Sequence, residues 1–144
     1  MGAGDSIHYE NNEIDILSPD AGFATSAELN DTVLVELVKT AGFKAILTGD
    51  IGFNVEDHLV AQGKNLRADI LKVAHHGSKF SSGKAFLKAV NPKIAVIEVG
   101  AKNKYGHPTK ETLARIASST GAIVLRTDQS GTIAIVVDNG KLTI

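Results

Sequence analysis

The sequence predicts an α/β domain of the layered α+β kind, with a mixed sheet flanked by helices. Short apolar stretches rich in valine and isoleucine recur along the whole chain, as buried strands require. Strands come first and then alternate with amphipathic segments, which is the element order of layered domains. The three prolines, Pro19, Pro92 and Pro108, all fall between these segments. None of them therefore interrupts a predicted strand or helix.

The first part of the chain predicts two antiparallel strand pairs, because apolar runs flank short polar turns. A loop rich in Ser, Ala, Gly and Asn separates the two pairs at residues 18–31. The predicted strands are residues 6–9, 14–17, 32–38 and 43–48, with turns at residues 10–13 and at Ala41-Gly42.

Three helices are predicted after Asp50. Gly63 is a suitable stop for the first, and Asn91-Pro92 ends the second because a residue before proline avoids helical geometry. Pro108 opens the third helix and Gly121 follows its end. The predicted helices are residues 54–62, 82–90 and 110–119.

Strands are predicted between and after these helices. Residues 70–73 form a short run with β-branched ends, which indicates a buried strand. Functional loops collect at strand exits, so the connections after Asp50 and His76 are the predicted site. The predicted strands are residues 70–73, 94–99, 123–126, 132–137 and 141–144, with turns at 128–131 and 138–140.

The composition excludes several classes of protein. The chain has 144 residues, 43% of them hydrophobic, and a formal net charge of -1, so no global field attracts nucleic acid. No apolar run approaches the roughly 18 residues of a membrane span. The first residues show neither region of a signal peptide. Cysteine is absent, so any metal must be held by His, Asp, Glu or Asn.

Asp50, His75 and His76 are the strongest candidates for chemistry. Each follows a predicted strand, where a carboxylate and imidazoles suit zinc, manganese or iron. Asp50 is equally suited to capping the next helix. Adjacent residues on a strand point to opposite faces, so both histidines can face one cleft only if the backbone turns there. Otherwise one histidine packs and the other is solvated.

His107 stands at the head of a predicted helix, where it could contact an anionic substrate or simply shape a turn. His8 and His58 are interpreted as structural. Several lysines near the histidine motifs form either a solvated surface or a rim that attracts phosphate. They are Lys72, Lys79, Lys84, Lys88, Lys102 and Lys104.

Three motifs contain the candidate residues: Leu-Thr-Gly-Asp at 47–50, Leu-Lys-Val-Ala-His-His-Gly-Ser at 71–78 and Tyr-Gly-His-Pro at 105–108. They resemble the metallo-β-lactamase fold, and within it the C-terminal hydrolase-like domain of the ComEC family of DNA-internalisation competence proteins. Shorter matches at residues 17–19, 30–35, 91–93 and 126–128 follow the family order over nearly the whole chain.

The resemblance implies an αββα sandwich with a site for one or two metals, zinc or manganese, at one edge. Asp50 would bridge the metals, His75 would bind one of them, and His76 is a further candidate ligand. His107 would contact substrate or donate a proton, so the implied catalytic residues are Asp50, His75 and His107. The implied substrate contacts are His76, Ser78, Lys104 and His107.

One departure from the family is important. The His-x-His-x-Asp-His signature, which supplies most of the family's metal ligands, is absent from the sequence. Residues 1–144 therefore resemble a single domain that is the C-terminal portion, or second half, of the fold. Asp50 and His75 are two ligands, whereas catalytic zinc typically has three. The chain is either a piece of a longer protein whose other half completes the site, or a natural short relative that no longer binds metal tightly. In both cases we expect little activity and weak or no metal binding from this chain alone.

The resemblance leaves two functions open. The first is a portion of a metal-dependent hydrolase that acts on phosphodiesters, nuclease-like and linked to DNA uptake. The second is a non-catalytic module that binds DNA or assists assembly of a competence protein. The third interpretation is an ordinary α/β domain whose histidines are structural.

The expected partners are nucleic acid and either the missing half of the fold or a second copy, as a homodimer. The chain would be associated with a membrane only through a parent protein. As part of a competence protein it would lie on the outer side of a bacterial cytoplasmic membrane.

Overall fold

A seven-stranded mixed sheet lies at the centre of the protein. The computed structural model describes residues 1–40, 42–138 and 141–144. The strands follow one another across the sheet in chain order; the first four pair antiparallel and the later ones run parallel to their predecessors. They are β1 Ser6–Tyr9, β2 Asn12–Ser18, β3 Val35–Lys39, β4 Lys44–Leu47, β5 Ile70–Lys72, β6 Ile94–Ile97 and β7 Ile123–Arg126. The predicted α/β layered class is confirmed.

A helix connects each pair of parallel strands. Such crossovers are right-handed in about 98% of cases, so connections that progress in one direction place their helices on one face. Accordingly the first helix packs against the second and the second against the third. They are α1 Phe53–Ala61, α2 Lys84–Val90 and α3 Lys110–Ser119.

The main core lies between these helices and the sheet. Leu37, Ile46, Leu71 and Ala95 stand opposite one another in the strand register and are buried. Burying a large apolar side chain contributes roughly 1.5–3 kcal/mol, so this row fixes which face of each strand points inward. The helices contribute Val55, Leu59, Phe86, Leu87, Val90 and Ile116 to the same core.

The opposite face of the sheet is also apolar. Its two ends are open to solvent, with 46% of Ile7 and 57% of Ile123 exposed, whereas Ala45, Ile70 and Ile94 are buried outside the main core. A single row of the register crosses all seven strands through Ile7, Ile14, Val38, Ala45, Ile70, Ile94 and Ile123.

A C-terminal hairpin lies against part of this second face. Leu142 and Ile144 line a cleft of about 420 Å³ together with Ile94 and Ile123. The segment after β7 consists of α4 Thr127–Ser130, β8 Val136–Asp138 and β9 Lys141–Thr143. No helix within the described ranges is long and apolar enough to cross a membrane.

The element bounds differ from the prediction in several places, and the strand predicted at 94–99 ends at Ile97. The strand predicted at 32–38 begins only at Val35, because Leu29–Thr32 forms a 3-10 helix in which the Thr32 hydroxyl donates to the carbonyl of Leu29. The turn predicted at 128–131 is a helical turn, Thr127–Ser130, and the strand predicted at 132–137 shortens to Val136–Asp138.

The second helix begins at Lys84 rather than at 82, because Ser82 has a φ of 60° and Gly83 is extended. The predicted turns at Ala41-Gly42 and at 138–140 include Ala41, Asn139 and Gly140, which lie outside the described residues.

Candidate functional site at the carboxyl ends of β4, β5 and β6

The predicted motifs meet at one edge of the sheet. Because β4, β5 and β6 are parallel neighbours, their carboxyl ends deliver the following loops to the same place. There a cleft of about 270 Å³ is lined by five side chains. They are Asp50, His75, His76, Tyr105 and His107.

A left-handed turn brings both adjacent histidines into this cleft. His75, His76 and Gly77 have φ values of 50°, 54° and 82°. This conformation is uncommon for residues with a side chain, and it turns the chain sharply just after β5. The backbone N–H of His75 donates to the carbonyl of Gly49 at 3.1 Å, which ties the turn to the strand exit that carries Asp50.

His76 faces Asp50 directly. Its Nε2 lies 3.6 Å from the Asp50 carboxylate, and its Nδ1 lies 2.7 Å from the carbonyl oxygen of Glu98. A carbonyl oxygen can only accept, so Nδ1 carries the proton and a neutral ring presents the Nε2 lone pair to the carboxylate. Two acceptors that face each other are suited to a bridging proton or cation. Orientation of an imidazole through its other nitrogen is also usual at metal ligands.

His107 closes the other side of the cleft. Its ring meets that of His75 edge to face at a centroid distance of 6.1 Å, and Tyr105 stacks on it at 5.9 Å with an interplanar angle of 21°. Burial lowers the pKa of His107, and the nearby His75 and His76 lower it further. The neutral ring is therefore favoured at position 107.

The side chain of Asn103 fixes the loop that carries His107. Its Oδ1 accepts from the backbone N–H of His107 at 2.9 Å, and its Nδ2 donates to the carbonyl oxygens of His107 and Gly100 at 2.8 and 3.0 Å. Gly77 allows this loop to approach the histidine turn, because a Cβ on Gly77 would lie 2.5 Å from the Cβ of Pro108.

Glu56 supports the segment that follows the histidines. This side chain on α1 is fully buried, and its two carboxylate oxygens each accept a 2.6 Å hydrogen bond, from the N–H groups of Ser82 and Gly83. Burial raises the pKa of Glu56 to about 7, although both bonds lower it. The sequence analysis missed this residue, although an acid beside Val55 and before Leu59 in a helix is a recognisable signal.

Arg115 on α3 supports the same segment from the other side. Its guanidinium donates to the carbonyl oxygens of Lys79, Ser81 and Ser82 at 2.9, 2.7 and 3.1 Å. Segment 78–83 is therefore clamped between two helices. Rigid support of this kind holds the preceding turn in place.

The donor set for a metal is incomplete. Within the described part of the chain, no three His, Asp or Glu side chains come close enough together to hold one ion. In the cleft, His76 and Asp50 form a pair at 3.6 Å. The residues present therefore fit part of a metal site and not a whole one.

The structure places the other predicted residues differently. Ser78 is buried, its hydroxyl accepts from the N–H of Phe80 at 3.3 Å, and its carbonyl accepts from Thr112 at 2.6 Å, so it lies beneath the cleft. Lys104 is exposed and is not among the cleft-lining residues. Lys72 donates to the carbonyl of Gly49 at 3.3 Å.

A second cleft of about 390 Å³ adjoins the first. His76, Tyr105 and His107 border both clefts and separate them. The second cleft is also lined by Glu98, Val99, Gly100 and Asn103.

The fold and the site together define an α/β domain with a carboxylate- and histidine-lined cleft at its strand ends. No family model matches the chain. Three curated proteins are homologous to it, and they are competence proteins. ComE operon protein 3 of Bacillus subtilis is 39% identical over 90% of this chain. Competence protein ComA of Neisseria gonorrhoeae is 38% identical over 72% of the chain, and recombination protein 2 of Haemophilus influenzae is 30% identical over 84%.

The chain spans only a small part of these relatives. It covers 16% of the first protein and 15% of each of the other two. The similarity therefore concerns one region of much longer proteins.

Proposed function

We propose that this chain is the cleft-bearing portion of a metal-dependent hydrolase of the metallo-β-lactamase type, which acts on phosphodiesters and is linked to DNA uptake. One observation carries the proposal: Asp50 and His76 face each other at 3.6 Å in a strand-end cleft that His75 and His107 also line. Similarity to competence proteins supports the link to DNA.

Each residue has a role in this proposal. Asp50 and His76 hold part of the metal site, and the carbonyl of Glu98 orients His76. His75 comes from the same turn and lines the cleft beside this pair, and His107 contacts the phosphate as a hydrogen-bonding group. Bound zinc or manganese would supply an activated water and neutralise charge on the phosphate. A catalytic zinc uses three protein ligands, so chain beyond this pair must complete the site.

Metal titration tests the partial site. We expect calorimetry to show zinc or manganese binding that is weaker than micromolar, and further weakened at least about tenfold by Asp50→Ala, since ligand loss has large effects on affinity. Asp57→Ala is the matched control, because Asp57 is an exposed aspartate of α1. Sub-micromolar binding by the unmodified chain would show that the site is complete.

Turnover of bis-p-nitrophenyl phosphate tests the reaction class. We expect little hydrolysis by the chain alone. Measurable hydrolysis should appear when the chain is extended by the adjacent region of its parent protein, and Asp50→Ala should abolish it while Asp57→Ala retains it. Hydrolysis by the extended protein that survives Asp50→Ala would contradict the proposed role of the cleft.

A non-catalytic DNA-binding or assembly module is the second candidate. The observation that favours it is the absence of a three-ligand cluster among the residues that the structure describes. Binding through lysines to phosphate is salt-dependent and needs no metal. DNA binding that weakens with salt, survives Asp50→Ala and is accompanied by no hydrolysis in the extended protein would select this candidate.

A further inference from the structure

We propose that the second cleft, bordered by Tyr105 and His107, is a subsite for one unpaired base of a single-stranded nucleic acid. The inference rests on the proposed phosphodiesterase-type function and names its substrate class. The volume of the second cleft, about 390 Å³, lies within the range of roughly 300–1,000 Å³ that is usual for ligand pockets.

The position of the subsite follows from its shared walls. His76, Tyr105 and His107 border both this cleft and the one that contains Asp50. A phosphate beside Asp50 and His76 would therefore carry its neighbouring nucleoside toward the second cleft.

Tyr105 provides a preformed stacking surface. Its side chain is 81% exposed, yet its ring is held parallel to His107 at 5.9 Å. Bases stack on exposed aromatic side chains in proteins that bind single strands.

The other residues that line the second cleft offer few free hydrogen-bonding groups with which to distinguish one base from another. The amide of Asn103 is occupied by Gly100 and His107, and both backbone groups of Val99 are bonded to the Thr127 hydroxyl. The carbonyl of Glu98 is taken by His76. Recognition here is therefore by stacking and apolar contact, which tolerate any base.

The rim favours a strand over an isolated base. Lys102 and Lys104 are exposed on the same loop as Tyr105. They can contact the flanking phosphates, which adds affinity that falls with salt. A base in a duplex is stacked on its neighbours and unavailable to Tyr105, so the site selects single strands or frayed ends.

Oligonucleotide binding without metal tests the subsite. In the presence of a metal chelator, the protein should bind a short oligothymidine more tightly than an abasic strand of the same length. Tyr105→Ala should weaken oligothymidine binding about 5- to 100-fold, the range expected for loss of one stacked base. Tyr105→Phe should keep the affinity. Tyr9→Ala is the matched control, because Tyr9 is the other tyrosine and is 71% exposed on β1.

Tyrosine fluorescence gives a second measurement that needs no change at Tyr105. The chain has two tyrosines and no tryptophan, so Tyr9→Phe leaves Tyr105 as the sole tyrosine. Oligothymidine should quench its emission, and the abasic strand and a blunt duplex should not. Equal binding of normal and abasic strands, absent quenching, or no binding of oligothymidine would overturn the subsite.

The two proposals fail separately. Bis-p-nitrophenyl phosphate contains no base, so its hydrolysis by the extended protein reports on the cleft of Asp50 alone. Base-dependent binding without hydrolysis would retain the subsite and reject the hydrolase, and the reverse result would reject only the subsite.

Discussion

At the scale of single residues, the turn through His75, His76 and Gly77 is the most informative feature. A residue with a side chain in a sparsely populated backbone region costs on the order of 1–3 kcal/mol, and two such histidines stand here in succession. Their geometry persists because neighbouring bonds hold it, including Ser78 N–H to the carbonyl of His75 at 2.9 Å. The conformation turns both imidazoles into one cleft, which an extended strand could not do.

Gly77 gives a residue-scale prediction. Gly77→Ala should lower the free energy of unfolding by about 1–3 kcal/mol more than Gly106→Ala does, which is the usual cost of overpacking. Both glycines have positive φ, 82° and 68°, so both variants carry the left-handed strain of about 1–2 kcal/mol. Only at Gly77 would the new Cβ meet Pro108, at 2.5 Å, whereas at Gly106 it meets open space. Urea denaturation measures the difference, and equal losses would contradict the close approach.

At the scale of elements, two helices hold the segment that follows the histidine turn. Glu56 from α1 accepts from the N–H groups of Ser82 and Gly83, and Arg115 from α3 donates to three carbonyl oxygens of residues 79–82. The carboxylate of Glu56 thus accepts from backbone N–H groups, and the guanidinium of Arg115 donates to backbone carbonyl groups. Both side chains act on a segment that belongs to neither helix. Such satisfaction is required for polar backbone groups that are buried.

The raised pKa of Glu56 gives a prediction for stability against pH. The pKa rises from 4.5 to about 7 on folding, so the folded state binds the proton more tightly. The resulting stabilisation is complete below about pH 4.5 and is lost as the pH rises through about 7. The total change is about 3 kcal/mol, from 1.36 kcal/mol per pKa unit.

Comparison with Glu56→Gln isolates this effect. Glutamine does not titrate, so the free energy of unfolding of the original chain minus that of the variant should fall by about 3 kcal/mol between pH 4.5 and 8. Urea denaturation across this range measures it. A difference that stays constant with pH would mean that Glu56 has its ordinary pKa.

At the scale of the whole molecule, the two faces of the sheet are unequal. The helices cover one face, whereas the C-terminal hairpin lies against the other near Ile94 and Ile123. Ile7 at the β1 end is 46% exposed and Ile123 at the β7 end is 57% exposed. Apolar side chains that stay exposed on one face of a sheet can be buried by association. We propose that a second copy of the chain covers the open part of this face near Ile123.

Self-association gives the prediction at this scale. Sedimentation velocity should show concentration-dependent dimerisation of the chain, and Ile123→Glu should shift it toward monomer because a charge on an apolar interface costs desolvation. Leu29→Glu is the matched control, since Leu29 is 81% exposed in a 3-10 helix outside the sheet. A monomer at every concentration, with no binding of hydrophobic dyes, would contradict the association.

Much of the fold was predictable because its signals are local. Alternating apolar residues located the strands, and glycine and proline located the ends of the helices within about two residues. Two errors share a cause. The segments at 32–34 and 132–135 have strand-like residues, but the structure gives them no strand partner in the described pairings. Strand propensity depends on what the strand packs against.

The candidate site was predictable in its members but not in its pairing. The strand-exit argument selected Asp50, His75 and His76, and the position at a helix head selected His107. All four line one cleft. The sequence analysis placed His75 before His76 as a metal ligand. Apolar periodicity cannot decide between two adjacent residues in a turn. Only the orientation of His76 by the carbonyl of Glu98 brings its Nε2 to Asp50.

By itself the sequence determined the layered class, the strand order of the motifs and the residue types available for chemistry, because apolar periodicity and turn residues act over short distances. The tertiary structure decided what those residues can do. It turned His75 and His76 to one side, placed Tyr105 on His107 and buried Glu56 beneath segment 78–83. These outcomes depend on contacts between residues far apart in the chain, and no local pattern specifies them.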